Sequence, residues 1–163
     1  MAILVWIFII KTLLSPLFTQ ATLQDLVSII FPPTLEIQMG IKTTVELQVQ
    51  VKPGYHVNAN PCLDKFLYPT FLKIEPHKLL KIDLPVYPPG QVFTYLHSSD
   101  NFLIYENQFG IQFEVTPRKK KDNLEGVLIA QLRYQACDSI SCLMPQTIPI
   151  RLPFKIVSPS QSP

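Results

Sequence analysis

The chain has 163 residues, 47% of them hydrophobic and 16% charged, which excludes intrinsic disorder. Its 14 Lys and Arg against 12 Asp and Glu leave a net +2, too little to attract nucleic acid. The 16 Pro and five Gly exclude a helical bundle, argue against a doubly wound parallel sheet, and supply no Gly-rich phosphate loop.

Residues 1–18, MAILVWIFIIKTLLSPLF, are almost wholly apolar, with Lys11 and Pro16 as interruptions. A bilayer span needs about 20 apolar residues, so this shorter, broken run is expected to be a signal peptide over 1–21. Thr19-Gln20-Ala21 offers small residues for cleavage after Ala21. Export would place the chain in an oxidising compartment, where disulfides persist. Residues 22–34 read as a lead-in, and a domain is expected over 35–157.

A weak strand is expected near 35–39. Residues 43–51, TTVELQVQV, alternate cleanly, with Val45, Leu47, Val49 and Val51 on one face. That is the pattern of a half-buried antiparallel strand. Pro53-Gly54 marks a turn. Short strands are expected near 55–58, 70–74, 80–83 and 92–96. Residues 109–116 place Phe109, Ile111, Phe113 and Val115 on one face, and 127–135 form another apolar-rich strand. Between them, 117–126 (PRKKKDNLEG) reads as a solvated hairpin loop. Residues 147–157 alternate Ile148, Ile150, Leu152, Phe154 and Ile156 against Pro149, Arg151, Pro153 and Lys155. Two prolines on one face remove ladder donors, so this strand should lie at an edge or cross between sheets. Residues 158–163, rich in Ser and Pro, read as a disordered tail. Short strands with regular turn signals predict an all-β sandwich.

Cys137 and Cys142 flank Asp138-Ser139-Ile140-Ser141, with a strand on either side. A four-residue hairpin loop would set the two cysteines opposite each other. Cross-strand Cβ atoms are about 4.5–5.5 Å apart, and a disulfide wants about 3.5–4.5 Å, so the pair is near bonding distance with some strain. Closing so short a loop stabilises by only about 2 kcal/mol. Two readings stay open: an exchange-active pair, or a structural hairpin clip. No Lys, Arg or His lies between the cysteines to lower a thiol pKa, and Asp138 would raise it. A Cys-x-x-Cys site of thioredoxin type is excluded.

Three segments resemble the periplasmic N-terminal domain of the thiol:disulfide interchange protein DsbD and its stand-alone relatives. The first is Pro53-Gly54-Tyr55-His56-Val57-Asn58-Ala59-Asn60 with Leu63 to Thr70. The second is Tyr87-Pro88-Pro89-Gly90 with Ile104-Tyr105-Glu106-Asn107. The third and most specific runs from Leu132-Arg133-Tyr134-Gln135-Ala136-Cys137 through Cys142-Leu143-Met144-Pro145. The resemblance implies an immunoglobulin-like antiparallel β-sandwich. It implies that Cys137 and Cys142 cycle between disulfide and dithiol, reduced by a thioredoxin-like domain and passing electrons to isomerases or cytochrome-maturation proteins. Cys142 would form the mixed disulfide and Cys137 would resolve it. A cap loop would cover the pair, by position within 97–102, with Phe102 or Tyr95 as the shielding aromatic. Tyr134 is close enough in sequence to help.

The multi-helix membrane portion and the thioredoxin domain of full-length DsbD have no counterpart in this sequence. The expectation is a stand-alone relay, a subunit beside a membrane electron transporter, or a fragment, with the membrane involved only through an uncleaved signal peptide. Cys62 makes the cysteine count odd and is expected to be a free thiol. His56, His77 and His97, with Cys62 or Met144, match no metal-ligand spacing and read as surface or loop histidines. Neither a cofactor nor a metal is expected. The leading expectation is an exported, periplasmic thiol–disulfide exchange component. The alternative is an envelope binding module of the same fold with Cys137–Cys142 as a clip.

Overall fold

The structure, a computed structural model, describes residues 26–95, 100–118 and 123–158. The expected signal peptide lies outside these residues, as do His97 and all but the first residue of the tail. Among the described residues, no helix is long and apolar enough to cross a membrane.

Twelve strands make up three four-stranded sheets among the described residues. The first sheet holds β1 (Val27–Ile30), β3 (Thr43–Val51), β9 (Gln108–Pro117) and β6 (Leu80–Ile82), in that order. Strand β3 has the expected bounds and buries Val45, Leu47, Val49 and Val51. Its register with β9 pairs Val45 with Phe113, Leu47 with Ile111 and Val49 with Phe109, so both strands offer one apolar face. The second sheet runs β2 (Leu35–Gln38), β12 (Gln146–Val157), β10 (Leu124–Tyr134), β5 (Phe71–Ile74). Leu128, Ala130 and Leu132 of β10 and Leu152, Phe154 and Ile156 of β12 complete the core. Each large apolar side chain buried there contributes about 1.5–3 kcal/mol. The result is an all-β, immunoglobulin-like sandwich.

Two connections differ from expectation. Strands β9 and β10 are not a hairpin, because they belong to different sheets. Each strand's apolar face meets the opposite sheet rather than sharing one, and residues 119–122 of the basic segment between them lie outside the described set. Strand β12 is an edge only in part. It pairs with β10 from Gln146 to Ile156, while β2 joins it in parallel at Phe154–Val157 alone. Pro149 and Pro153 therefore fall where β12 has no second neighbour among the described residues, which is where missing donors cost nothing. Strand β1 falls inside the stretch expected as a lead-in. Its burial alternates, with Val27 and Ile29 inward and Ser28 and Ile30 outward, but the exposed Ile30 hides that alternation in the sequence.

The third sheet runs β11 (Ala136–Cys137), β4 (His56–Asn58), β8 (Phe102–Glu106), β7 (Gln91–Phe93). Lys52-Pro53-Gly54-Tyr55 launches β4 as a turn, with Gly54 at φ 86° and Tyr55 N donating to Lys52 O at 3.1 Å.

Candidate functional site

The site forms where the chain leaves one sheet for another. Strand β10 pairs with β12 as far as Tyr134 opposite Gln146. Beyond it, Leu143 N donates to Ala136 O at 2.8 Å and Cys137 faces Cys142. The pairing has slipped by one residue, so Met144 and Pro145 form a bulge opposite Gln135. Its nearly buried side chain ties three segments together. Oε1 accepts from Asn58 Nδ2 and Tyr68 N, at 3.1 and 3.0 Å, and Nε2 donates to Leu143 O at 3.1 Å. Tyr105 does the same for the second segment. Its hydroxyl accepts from Asn60 N at 3.1 Å and donates to Pro88 O at 2.8 Å. The three segments that carry the sequence resemblance thus converge around β4.

Cys137 and Cys142 are joined by a disulfide. The loop between them is a tight turn in which Asp138 N donates to Ser141 O at 2.9 Å. Asp138 Oδ1 accepts from Ile140 N and Ser141 N, each at 2.7 Å. Those backbone donors, with a smaller contribution from His56, hold the Asp138 carboxyl below the usual carboxylate range. Cys137 is fully buried and Cys142 half-buried. The exposed side chains of Ile140 and Met144 flank Cys142 in sequence.

Aromatic rings surround the disulfide. Tyr95 Oη lies 3.6 Å from Cys142 Sγ. The Tyr95 ring packs edge-on against Phe102 (centroids 5.2 Å apart) and Phe93 (4.9 Å). Of the two aromatics weighed as the shield, Tyr95 lies at the sulfur and Phe102 packs behind Tyr95. Tyr134 instead belongs to the core. Its hydroxyl is buried without a hydrogen-bond partner among the described residues. Residues 97–99 of the expected cap loop lie outside the described set.

His56 is the residue that the linear reading misplaced. It is buried, on β4, directly opposite Cys137 of β11 and Glu106 of β8. Its Nε2 lies 3.1 Å from Tyr95 Oη and its ring 4.6 Å from that of Phe93. Burial pushes the imidazole below its ordinary value, opposed by Glu106 and then Asp138. Burial also raises the Tyr95 hydroxyl, with Asp138 adding to it. A signal for His56 existed: it sits within one of the resembling segments, in a strand, two residues after Gly54. Its partners, contributed by β7, β8 and β11, were not readable.

The other residues weighed for metal binding stand apart. His77 packs edge-on against Phe154, and Cys62 is a free, half-buried thiol whose Sγ lies 3.4 Å from Asp64 O. Among the described residues, no group of three or more His, Cys, Asp or Glu is placed to hold a metal ion.

In fold, the chain is similar to the N-terminal domain of DsbD from Neisseria meningitidis in its reduced form. The identity is 16%, with 66% of this chain and 74% of that chain covered, at a TM-score of 0.41. It is also similar to the periplasmic chaperone SfaE, at 8% identity over 84% of this chain and 60% of that one, TM-score 0.38. No curated protein matches the sequence. The family model of the thiol:disulfide interchange protein DsbD, N-terminal, matches residues 27–153, from the start of β1 into β12. Spanning the sandwich and the disulfide alike, that match shows that the chain belongs to the family of DsbD N-terminal domains and to thiol–disulfide exchange chemistry.

Proposed function

We propose that the chain is an exported thiol–disulfide relay, passing electrons through Cys137 and Cys142 between thioredoxin-like partners. The observation that carries this reading is the asymmetry of the pair. One sulfur is buried, and the other is half-buried beneath an aromatic cover. A partner thiolate reaches Cys142, forms the mixed disulfide there, and expels Cys137 as the leaving thiolate. Tyr95, backed by Phe102, shields Cys142 from other thiols until a partner displaces it. Exposed Ile140 and Met144 offer that partner an apolar landing beside the sulfur. A membrane electron transporter of the DsbD type is the donor this scheme needs, and the periplasm is its compartment.

The arithmetic of the loop supports an exchange role. Closing six residues is worth about 2 kcal/mol, a small return for a clip on a domain with this core. The test is the reduction potential of the pair, measured by equilibration in a thiol redox buffer and mass-tagging of free thiols. A value of roughly −180 to −270 mV fits cycling with thioredoxin-like proteins. A value below about −300 mV means a permanent clip and a binding module instead.

A further inference from the structure

A thiol that exchanges must lose its proton to attack and regain it when it is expelled. Within the Cys137–Cys142 loop the one ionisable side chain is Asp138, whose carboxyl is held below its usual range by the backbone donors of Ser141 and Ile140 and is therefore a poor base. The fold brings a base from elsewhere. Tyr95 Oη stands between Cys142 Sγ, at 3.6 Å, and His56 Nε2, at 3.1 Å. We infer that Tyr95 and His56 form a proton relay serving the sulfur of Cys142. The inference deepens the exchange reading above and rests on it.

The step balances as follows. In the reduced protein the Cys142 S–H donates its proton to Tyr95 Oη as the Tyr95 O–H proton passes to His56 Nε2. The products are a Cys142 thiolate, an unchanged tyrosine hydroxyl and an imidazolium. The thiolate attacks one sulfur of a partner disulfide, forming the mixed disulfide and releasing the partner's other sulfur as thiolate. Cys137 then gives up its proton to the thiolate the partner has just released and attacks Cys142 Sγ. The Cys137–Cys142 bond forms and the partner's second thiolate leaves. Two electrons have moved to the partner. When a partner dithiol reduces the pair, the last step expels Cys142 as thiolate, and the relay returns the proton.

The surroundings suit both states of His56. Burial favours the neutral ring, so Nε2 is free to accept. Once charged, the ring faces Glu106 across β8, with Asp138 next to Cys137, and both carboxylates favour the imidazolium. Tyr95 is the remaining titratable group in contact with it among the described residues, and Phe93 covers one side of the ring. Tyr95 touches the reacting sulfur, while His56 acts through it.

The test uses the full chain with Cys62→Ser and Cys137→Ser, so that Cys142 is the sole thiol. The rate of alkylation by iodoacetamide is followed against pH. Tyr95→Phe keeps the ring and removes the hydroxyl; His56→Gln keeps a hydrogen-bonding side chain and removes the base. Each is expected to slow alkylation at pH 7 by about tenfold, as one unit of thiol pKa does, and to move the pH profile upward. The double variant is expected to lose no more than either single one, because both break one relay. A side chain that merely covers Cys142 would act in the opposite sense, since its loss would expose the sulfur and speed alkylation. Unchanged or faster alkylation in Tyr95→Phe or His56→Gln, or losses that multiply in the double variant, overturns the inference. Iodoacetamide needs no protein partner, so this outcome is separate from the reduction potential that decides the exchange reading.

Discussion

His56 on β4 stands directly opposite Cys137 on β11, although the two are far apart in sequence. The pairing puts an ionisable ring beside a disulfide whose own loop offers only a carboxylate, that of Asp138. It also makes β4 the keystone of the site, held by β11 on one side and β8 on the other. Changes at His56 should therefore be felt both in the thiol chemistry and in the stability of the fold.

The stability consequence has a defined sign. Burial holds His56 below its ordinary value of 6.5, so the unfolded chain binds this proton at a higher pH than the folded one does. Stability rises with pH wherever the unfolded state holds more protons. The oxidised protein is expected to lose Tm as pH falls below about 6.5, through the window between the unfolded and the lowered native value. His77, held down by burial and then by Lys78, adds a loss of the same sign. Thermal melts from about pH 7.5 to pH 5 check this: the decline should be shallower in His56→Gln than in the wild type. An equal decline in both would place the effect elsewhere.

The unequal exposure of the two sulfurs predicts which one a partner captures. In a Cys62→Ser background, Cys137→Ala should form a mixed disulfide with a thioredoxin that lacks its resolving cysteine and carries its remaining one as a thionitrobenzoate mixed disulfide, releasing thionitrobenzoate as the leaving thiolate. Cys142→Ala should accumulate none, because Cys137 is fully buried beneath the β4 pairing. Non-reducing electrophoresis and mass spectrometry read the adduct. A stable adduct through Cys137 would reverse the roles assigned to the pair.

Gln135 is expected to be the most sensitive polar position near the site. Its side chain satisfies Asn58 Nδ2, Tyr68 N and Leu143 O at once. A buried donor or acceptor left without a partner costs about 1–3 kcal/mol. Gln135→Leu orphans the contacts of this group while keeping its bulk, so denaturant unfolding should show a loss of at least about 2 kcal/mol. The bulge that directs Cys137 toward β4 should loosen as well, raising the reactivity of the reduced cysteines toward alkylating agents.

The legible parts of the fold are those where one physical signal ran long enough. Strand β3 alternates over nine residues, and its bounds were readable to the residue. Strand β8 was missed because it buries Ile104 and Tyr105 side by side, and adjacent burial breaks the period-two pattern. The prolines of β12 correctly signalled a missing neighbour, but only for the part before Phe154, because β2 covers the rest. At the site, the cysteines and Tyr95 were legible through a resemblance borne by local segments. His56 and Phe93 were not. Their roles come from which strands lie side by side in the third sheet, and no run of neighbouring residues encodes that order. The β9–β10 connection failed for the same reason, since two strands and a polar loop read alike whether they pair or cross.

Tyr134 tests how far sequence proximity to Cys137 carries function. Its ring is fully buried among core residues, and its hydroxyl is buried with no hydrogen-bond partner among the described residues. Burial alone raises the pKa of this hydroxyl. Removing an unpaired buried hydroxyl leaves the ring packing intact and relieves a desolvation penalty, so Tyr134→Phe should be neutral or stabilising, by up to about 2 kcal/mol. Denaturant unfolding measures that change, and the rate of disulfide exchange with thioredoxin should match the wild type. A slower or faster exchange at unchanged stability would return Tyr134 to the site. An unchanged rate leaves the shielding of Cys142 to Tyr95, because a side chain that fills the core does not block the approach of a partner to a half-exposed sulfur.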